Sequence, residues 1–158
     1  MKSNLQPEII TGSVMGIGFM PFAPGTFASL ASLLPLGCIL WFSGREWLIM
    51  YIILTSLLTI WAAKTYEKKY GRDPKSFVMD EWAGQGVVFL LLPLGGNFAS
   101  FLTLLGAGFI LFRFFDILKP FGIGSIQKAP DGFGILLDDL LAGIYALICL
   151  HLLILYVL

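Results

Sequence analysis

Four stretches without a formal charge dominate this chain: residues 26–44, 47–63, 82–112 and 140–158. A helix needs about 20 residues, at about 1.5 Å of rise each, to cross the hydrocarbon of a bilayer. The first, second and fourth stretches therefore each hold one somewhat short crossing helix. The third is too long for one helix and contains PLGGN at 93–97, where Pro93 and two glycines make a turn rather than a helix interior. It reads as a helical hairpin over 77–115, with one helix over 77–92 and the other over 98–115. The expected fold is all-α: a polytopic membrane bundle of about five membrane-embedded helices, the third of them short. No linker, repeat or low-complexity tract divides residues 1–158, so one domain is expected.

Composition agrees with that reading. The chain is 58% hydrophobic and 13% charged, whereas soluble domains carry about 45–50% apolar and about 25% charged residues. A net charge of zero gives no reason to expect a nucleic-acid partner. Lys2 is followed by Asn4, Gln6, Pro7 and Glu8 where a signal peptide would begin its apolar core, so no secretory signal is expected. Cys38 and Cys149 lie inside apolar runs and read as inert core thiols.

The basic residues set the expected orientation. With the hairpin, Lys2, Lys64, Lys68, Lys69, Arg72, Lys75, Arg113, Lys119 and Lys128 fall on one side, and of the ten basic residues only Arg45 is opposite. By the positive-inside rule the crowded side is cytoplasmic. Were residues 82–112 a single span, the carboxylates would be divided between two compartments.

Four polar stretches converge on that side. In GIGFMPFAPGTFASL, residues 16–30, Pro21, Pro24 and Gly25 are expected to hold off the helix until Thr26, which reads as its N-cap. A helix N-terminus behind a Gly-rich loop is an anion site, although an ordinary capped helix looks the same in sequence. DPKSFVMDEWAG, residues 73–84, contains the adjacent Asp80 and Glu81. In FRFFDILKP, residues 112–120, Arg113 and Asp116 share a helix face, and Lys119 follows just before Pro120. DGFGILLDDLLAG, residues 131–143, contains Asp138 and Asp139 at the mouth of the last apolar run.

Asp138 taken alone reads more simply as a helix cap. Two acidic pairs at one membrane face are harder to explain that way. Carboxylates about 4–5 Å apart repel by about 1 kcal/mol in water and several-fold more at a protein boundary. Either some are protonated or a cation sits among them. Oxygen ligands without His or Cys suit a hard ion such as Mg²⁺. Carboxylates for a metal, with Arg, Lys and a helix N-terminus for an anion, make a phosphate-processing site. Histidine chemistry is excluded there because His151 lies deep in the last apolar run. Cys38 and Arg45 lack the Gly-rich loop of a cysteine phosphatase, and no Walker-type G-K-[ST] occurs.

PFAPGTFASL, FVMDEWAG, FRFFDILKP and GFGILLDDLLAG together resemble the bacterial phosphatidylglycerophosphatase A family, in the family's order from about residue 12 to about residue 146. The resemblance implies a multi-pass enzyme of the bacterial cytoplasmic (inner) membrane that depends on Mg²⁺ and faces the cytoplasm. Its reaction would remove the terminal phosphate of phosphatidylglycerophosphate, a phospholipid held in the membrane, to give phosphatidylglycerol. Asp80 and Glu81 match the family's Asp-Glu pair, and Asp138 and Asp139 its Asp-Asp pair. Arg113, Asp116 and Lys119 match its third motif, and Gly25 and Thr26 its Pro-Gly-Thr element. Ala28, Gly122 and Asp131 depart from the usual Gly, Pro and Gly-Gly, and none of these changes removes a carboxylate.

The resulting expectation is metal-assisted phosphomonoester hydrolysis. Asp80, Glu81, Asp138 and Asp139 would hold one or two Mg²⁺ ions. Arg113 and Lys119 would clamp phosphate oxygens, with Gly25 and Thr26 adding an anion contact. Asp116 would orient Arg113, join the metal site or act as base. The nucleophile, water or an Asp, stays open. A cation transporter using the acidic pairs is one alternative, and it would place carboxylates near mid-span. A non-catalytic membrane scaffold is the other, and it leaves the acidic pairs and basic clamp without a role.

Overall fold

Helix boundaries in this chain follow its prolines and glycines. The structure is a computed structural model that describes residues 6–71, 74–93, 96–120 and 132–157. Pro7 opens the short helix α1 (Pro7–Gly12), which leads through a 3-10 turn at Ile17–Phe19 to α2 (Pro24–Phe42). Gly44, at φ 101°, reverses the chain into α3 (Arg45–Tyr70), and Gly71, at φ 89°, ends that helix. Next come α4 (Asp80–Val88), α5 (Phe98–Leu118) and α6 (Phe133–Val157). Asn97 caps α5 by accepting a 2.8 Å hydrogen bond from the Ser100 amide. Among the described residues no strand occurs.

Among the described residues four helices are long and apolar enough to cross a membrane: Pro24–Phe42, Arg45–Tyr70, Phe98–Leu118 and Phe133–Tyr156. This is a membrane protein. The fifth helix, α4, is shorter than the expected 77–92 and cannot span. On its N-terminal side Phe77–Met79 lie outside the helix and are buried, with the Val78 amide donating to the Gly12 carbonyl at 2.8 Å. On its C-terminal side turns begin at Phe89, where the Leu92 amide closes onto the Phe89 carbonyl at 3.0 Å. Non-helical backbone at membrane depth is tolerated when protein encloses it, and Phe89 and Leu92 are fully buried.

Two corrections concern the termini of α2 and α6. The helix α2 begins at Pro24, not Thr26, because proline lacks only an amide that the first helical turn leaves unpaired anyway. Thr26 therefore sits in the first turn and does not cap. The last helix begins at Phe133, well before Leu140, so Asp138 lies inside the helix and cannot be its N-cap. Cys38 also departs from expectation: it is free and exposed on the outer face of α2 rather than in the core.

Small residues bring α4 into the centre of the bundle. A Cβ on Gly84 would lie 2.6 Å from the Asp139 carbonyl oxygen, and one on Gly143 would strike the Gly84 carbonyl. This close crossing, of the kind small residues permit in membranes, sets the start of α4 against the second turn of α6. Leu36, Leu48, Phe89, Phe112, Ala146 and Leu150 fill the core around it. Apolar side chains such as Leu34, Phe42, Ile53, Leu57 and Ile110 face outward, as lipid contact requires. A second core beneath α1 joins Ile9, Val14, Tyr66, Phe77 and Val78. The antiparallel helix order collects the N-terminal ends of α2, α4 and α6 and the C-terminal ends of α3 and α5 at one end. Trp41 and Phe98 meet edge-to-face at 5.3 Å near the opposite end.

Candidate active site

At the collecting end lies a cavity of about 390 Å³, and all nine residues singled out from the sequence line it: Gly25, Thr26, Asp80, Glu81, Arg113, Asp116, Lys119, Asp138 and Asp139. They come from four helices and the residue that follows α5. The departures at Gly122 and Asp131, with Lys2, Arg72, Asp73, Gly95 and Lys128, lie outside the described residues.

The first turn of α2 forms one wall. Ala23 adopts φ 42°, and the first helical bond runs from the Phe27 amide to the Ala23 carbonyl at 3.2 Å. The amides of Gly25 and Thr26 precede that bond and carry the positive end of the helix dipole. Gly25 is needed for space: a Cβ there would collide with the Glu81 carboxylate.

Arg113 ties three elements together through one nitrogen. Its Nη1 donates to Glu81 Oε2 at 2.6 Å and to Ser29 Oγ at 3.3 Å, and forms an ion pair with Asp116 Oδ2 at 2.7 Å. Asp116 thus holds Arg113, one of the roles left open for it. Lys119 pairs with Asp138. It adopts a left-handed backbone at φ 44°, after Leu118 ends α5 and before Pro120, so its side chain leaves the helix and turns onto α6.

All five carboxyl groups are at least nine-tenths buried. Burial pushes the Asp80 carboxyl well above the usual range, and Glu81, Asp138 and Asp116 push it further. Burial likewise raises Glu81 to about 7. Arg113, the Ser29 hydroxyl and Lys119 oppose that rise, and Asp116 adds to it.

The residues fit a hard cation by chemistry. The donors are all oxygen, and the buried Asp80 Oδ1 and Asp139 Oδ2 have no hydrogen-bond partner. Among the described residues no three His, Cys, Asp or Glu side chains are placed so that together they could hold a metal ion. Mg²⁺ keeps several waters and is commonly bound through one or two carboxylates together with a substrate phosphate. No histidine lines the cavity.

Ser29 escaped the sequence reading. It is fully buried, donates to Glu81 Oε2 and accepts from Arg113, joining the acidic pair to the basic clamp. Its signal was a serine three residues after Thr26 on the same helix face, in an otherwise apolar run. Trp82 also went unnoticed: its indole N–H donates to the Ala28 carbonyl at 3.0 Å and locks α4 to α2.

Comparison with known proteins gives a consistent picture. A family model described as Phosphatidylglycerophosphatase A matches residues 10–154. A Haemophilus influenzae protein named "Phosphatidylglycerophosphatase A" is 37% identical over 148 residues, covering 92% of this chain and 88% of its own. An Escherichia coli protein of the same name is 29% identical over 131 residues, covering 82% of this chain and 73% of its own. A Bacteroides thetaiotaomicron protein named "Putative phosphatidylinositol-3-phosphatase" is 34% identical over 157 residues, covering 94% of each chain. No solved structure matches.

Proposed function

The chain belongs to the phosphatidylglycerophosphatase A family, and from that premise we propose that it hydrolyses phosphatidylglycerophosphate to phosphatidylglycerol and phosphate, with Mg²⁺, at the cytoplasmic face of the membrane. The observation that carries the reading is the cavity at one end of the bundle. It gathers five buried carboxyl groups, Arg113, Lys119 and the free amides of the α2 N-terminus. A lipid phosphate reaches such a site while its acyl chains stay among the outward apolar faces.

In this reading Asp80, Glu81, Asp138 and Asp139 would hold one or two Mg²⁺ ions. When bound, such an ion would supply positive charge at the phosphate oxygens and lower the pKa of a bound water. Arg113 and Lys119 exchange carboxylate partners for phosphate oxygens, Arg113 as a planar fork and Lys119 as a point charge. The Gly25 and Thr26 amides take a further oxygen. Asp116 keeps the Arg113 guanidinium aimed into the cavity while its other partners change. Over the whole hydrolysis the ester P–O bond breaks and a water oxygen becomes bonded to phosphorus; one water proton ends on the departing headgroup alcohol and the other on the released hydrogen phosphate.

The cytoplasmic orientation rests on charge. Lys64, Lys68, Lys69, Lys75, Arg113 and Lys119 stand at the site end. Arg45 stands at the other, where its Nη2 donates to the Leu92 carbonyl at 3.3 Å. By the positive-inside rule this asymmetry supports a cavity that faces the cytoplasm. The Bacteroides relative's name makes a phosphoinositide the second reading, also a phosphomonoester on a lipid headgroup. The test is phosphate release by the detergent-solubilised protein from phosphatidylglycerophosphate and from phosphatidylinositol 3-phosphate, with and without Mg²⁺. Faster Mg²⁺-dependent release from the first is expected. Faster release from the second shifts the assignment to the inositol lipid, and no release from either refutes the function.

A further inference from the structure

Resting on that function, we propose that Lys75 determines specificity by binding the phosphodiester of the lipid headgroup while the inner cluster takes the phosphomonoester. Such a headgroup brings two phosphates into one cavity. The inner cations already face carboxylates: Arg113 faces Glu81 and Asp116, and Lys119 faces Asp138. Both are needed for the phosphate being removed. Lys75 is the third cation lining the cavity, exposed at its rim, and among the described residues it has no carboxylate partner. A second anion entering beside five carboxylates gains most from this ammonium.

The turn that carries Lys75 is unusually well held for a surface loop. The Phe77 amide donates to the Pro74 carbonyl at 2.8 Å, closing the turn around Lys75 and Ser76. The Tyr66 hydroxyl donates to the Ser76 carbonyl at 2.9 Å, and the Val78 amide to the Gly12 carbonyl at 2.8 Å. The rings of Tyr66 and Phe77 meet edge-to-face at 5.1 Å, and Gly12 packs under both without room for a Cβ. Helix α1, which adds nothing else to the cavity, thereby braces this turn. A lysine on a pinned turn loses less freedom when it binds, so its charge selects more sharply than a mobile one.

The experiment compares the wild type, Lys75→Gln and Lys75→Arg in an uncharged detergent with Mg²⁺, which removes general attraction to an anionic surface. The probes are glycerol 3-phosphate, which has the monoester alone, and deacylated phosphatidylglycerophosphate, which has both phosphates. Calorimetric titration is expected to show the wild type preferring the second probe by about tenfold. Lys75→Gln should erase that preference with unchanged affinity for glycerol 3-phosphate, and Lys75→Arg should keep most of it. On the intact lipid Lys75→Gln should raise KM by about tenfold and leave kcat within about twofold. Equal binding of the two probes by the wild type, or a preference that survives in Lys75→Gln, overturns the proposal. Loss of glycerol 3-phosphate binding in Lys75→Gln also overturns it, because the lysine then serves the whole fold. Selective binding without phosphate release would refute the proposed function and leave Lys75 as the diester site.

Discussion

Gly25, in the first turn of α2, lies against the Glu81 carboxylate so closely that no side chain fits between them. Gly25→Ala should therefore push Glu81 aside, which its flexible side chain allows at small cost. Alanine is favoured over glycine in a helix by about 1 kcal/mol, so the melting temperature should hold or rise. Phosphate release should nevertheless fall by at least about tenfold, about 1.4 kcal/mol of barrier. Normal activity with normal stability would show that Glu81 has no fixed place in the reaction.

Ser29→Ala removes the hydroxyl that joins Glu81 to Arg113. That hydroxyl favours the charged form of Glu81, so its loss should move the Glu81 carboxyl up from about 7. The activity of Ser29→Ala should fall by about tenfold near neutral pH. The acidic limb of its pH–rate profile should also shift to higher pH. An unshifted limb would reduce Ser29 to packing.

Which residues gather in this cavity was more legible in the sequence than where the helices that carry them begin and end. Asp80, Glu81, Arg113, Asp116, Lys119, Asp138 and Asp139 stand out because charged residues at the ends of apolar runs need a reason to be there. Helix starts were read less well. Residues 133–137 are FGILL, an apolar turn that hydropathy does not separate from the following run, so α6 starts earlier than the carboxylates suggest. The limits of α4 depend on tertiary contacts, the Val78–Gly12 hydrogen bond and the Gly84–Gly143 crossing, which no local pattern encodes.

Raised carboxyl pKa values link metal, pH and stability. Folded Asp80 and Glu81 retain protons that an unfolded chain releases near its ordinary values of 3.8 and 4.5. Metal-free stability should therefore fall as pH rises from about 4 toward about 7. Mg²⁺ must displace these protons, so its affinity should rise over the same window. Thermal shift by Mg²⁺ should be larger at about pH 8 than at about pH 5.5. A shift independent of pH would separate the metal from these two carboxyl groups.

Sidedness can be read with single cysteines in a background where Cys38 and Cys149 are replaced. A cysteine at Lys69 should react with an impermeant reagent only from the cytoplasmic side, and one at Arg45 only from the opposite side. Labelling of both from one side would break the antiparallel helix order at the membrane.

Asp138 gives the most decisive substitution because its position removes the competing explanation. Asn and Asp are near-equal as N-caps, so a capping Asp138 would tolerate Asn. It lies inside α6, however, at 1% exposure, paired with Lys119 and lining the cavity. Asp139 beside it is equally enclosed and has an oxygen without a hydrogen-bond partner. Asp138→Asn and Asp139→Asn preserve size while removing the negative charge that holds a cation. Each should leave a folded protein with phosphate release lowered at least about 100-fold, about 2.7 kcal/mol of transition-state stabilisation. Each should also lose the Mg²⁺-induced rise in melting temperature, which a purely positioning role would leave intact. Glu46→Gln, exposed in the first turn of α3 at the far end, should change neither measurement. Near-normal turnover in both Asp variants would remove the Asp-Asp pair from the active site.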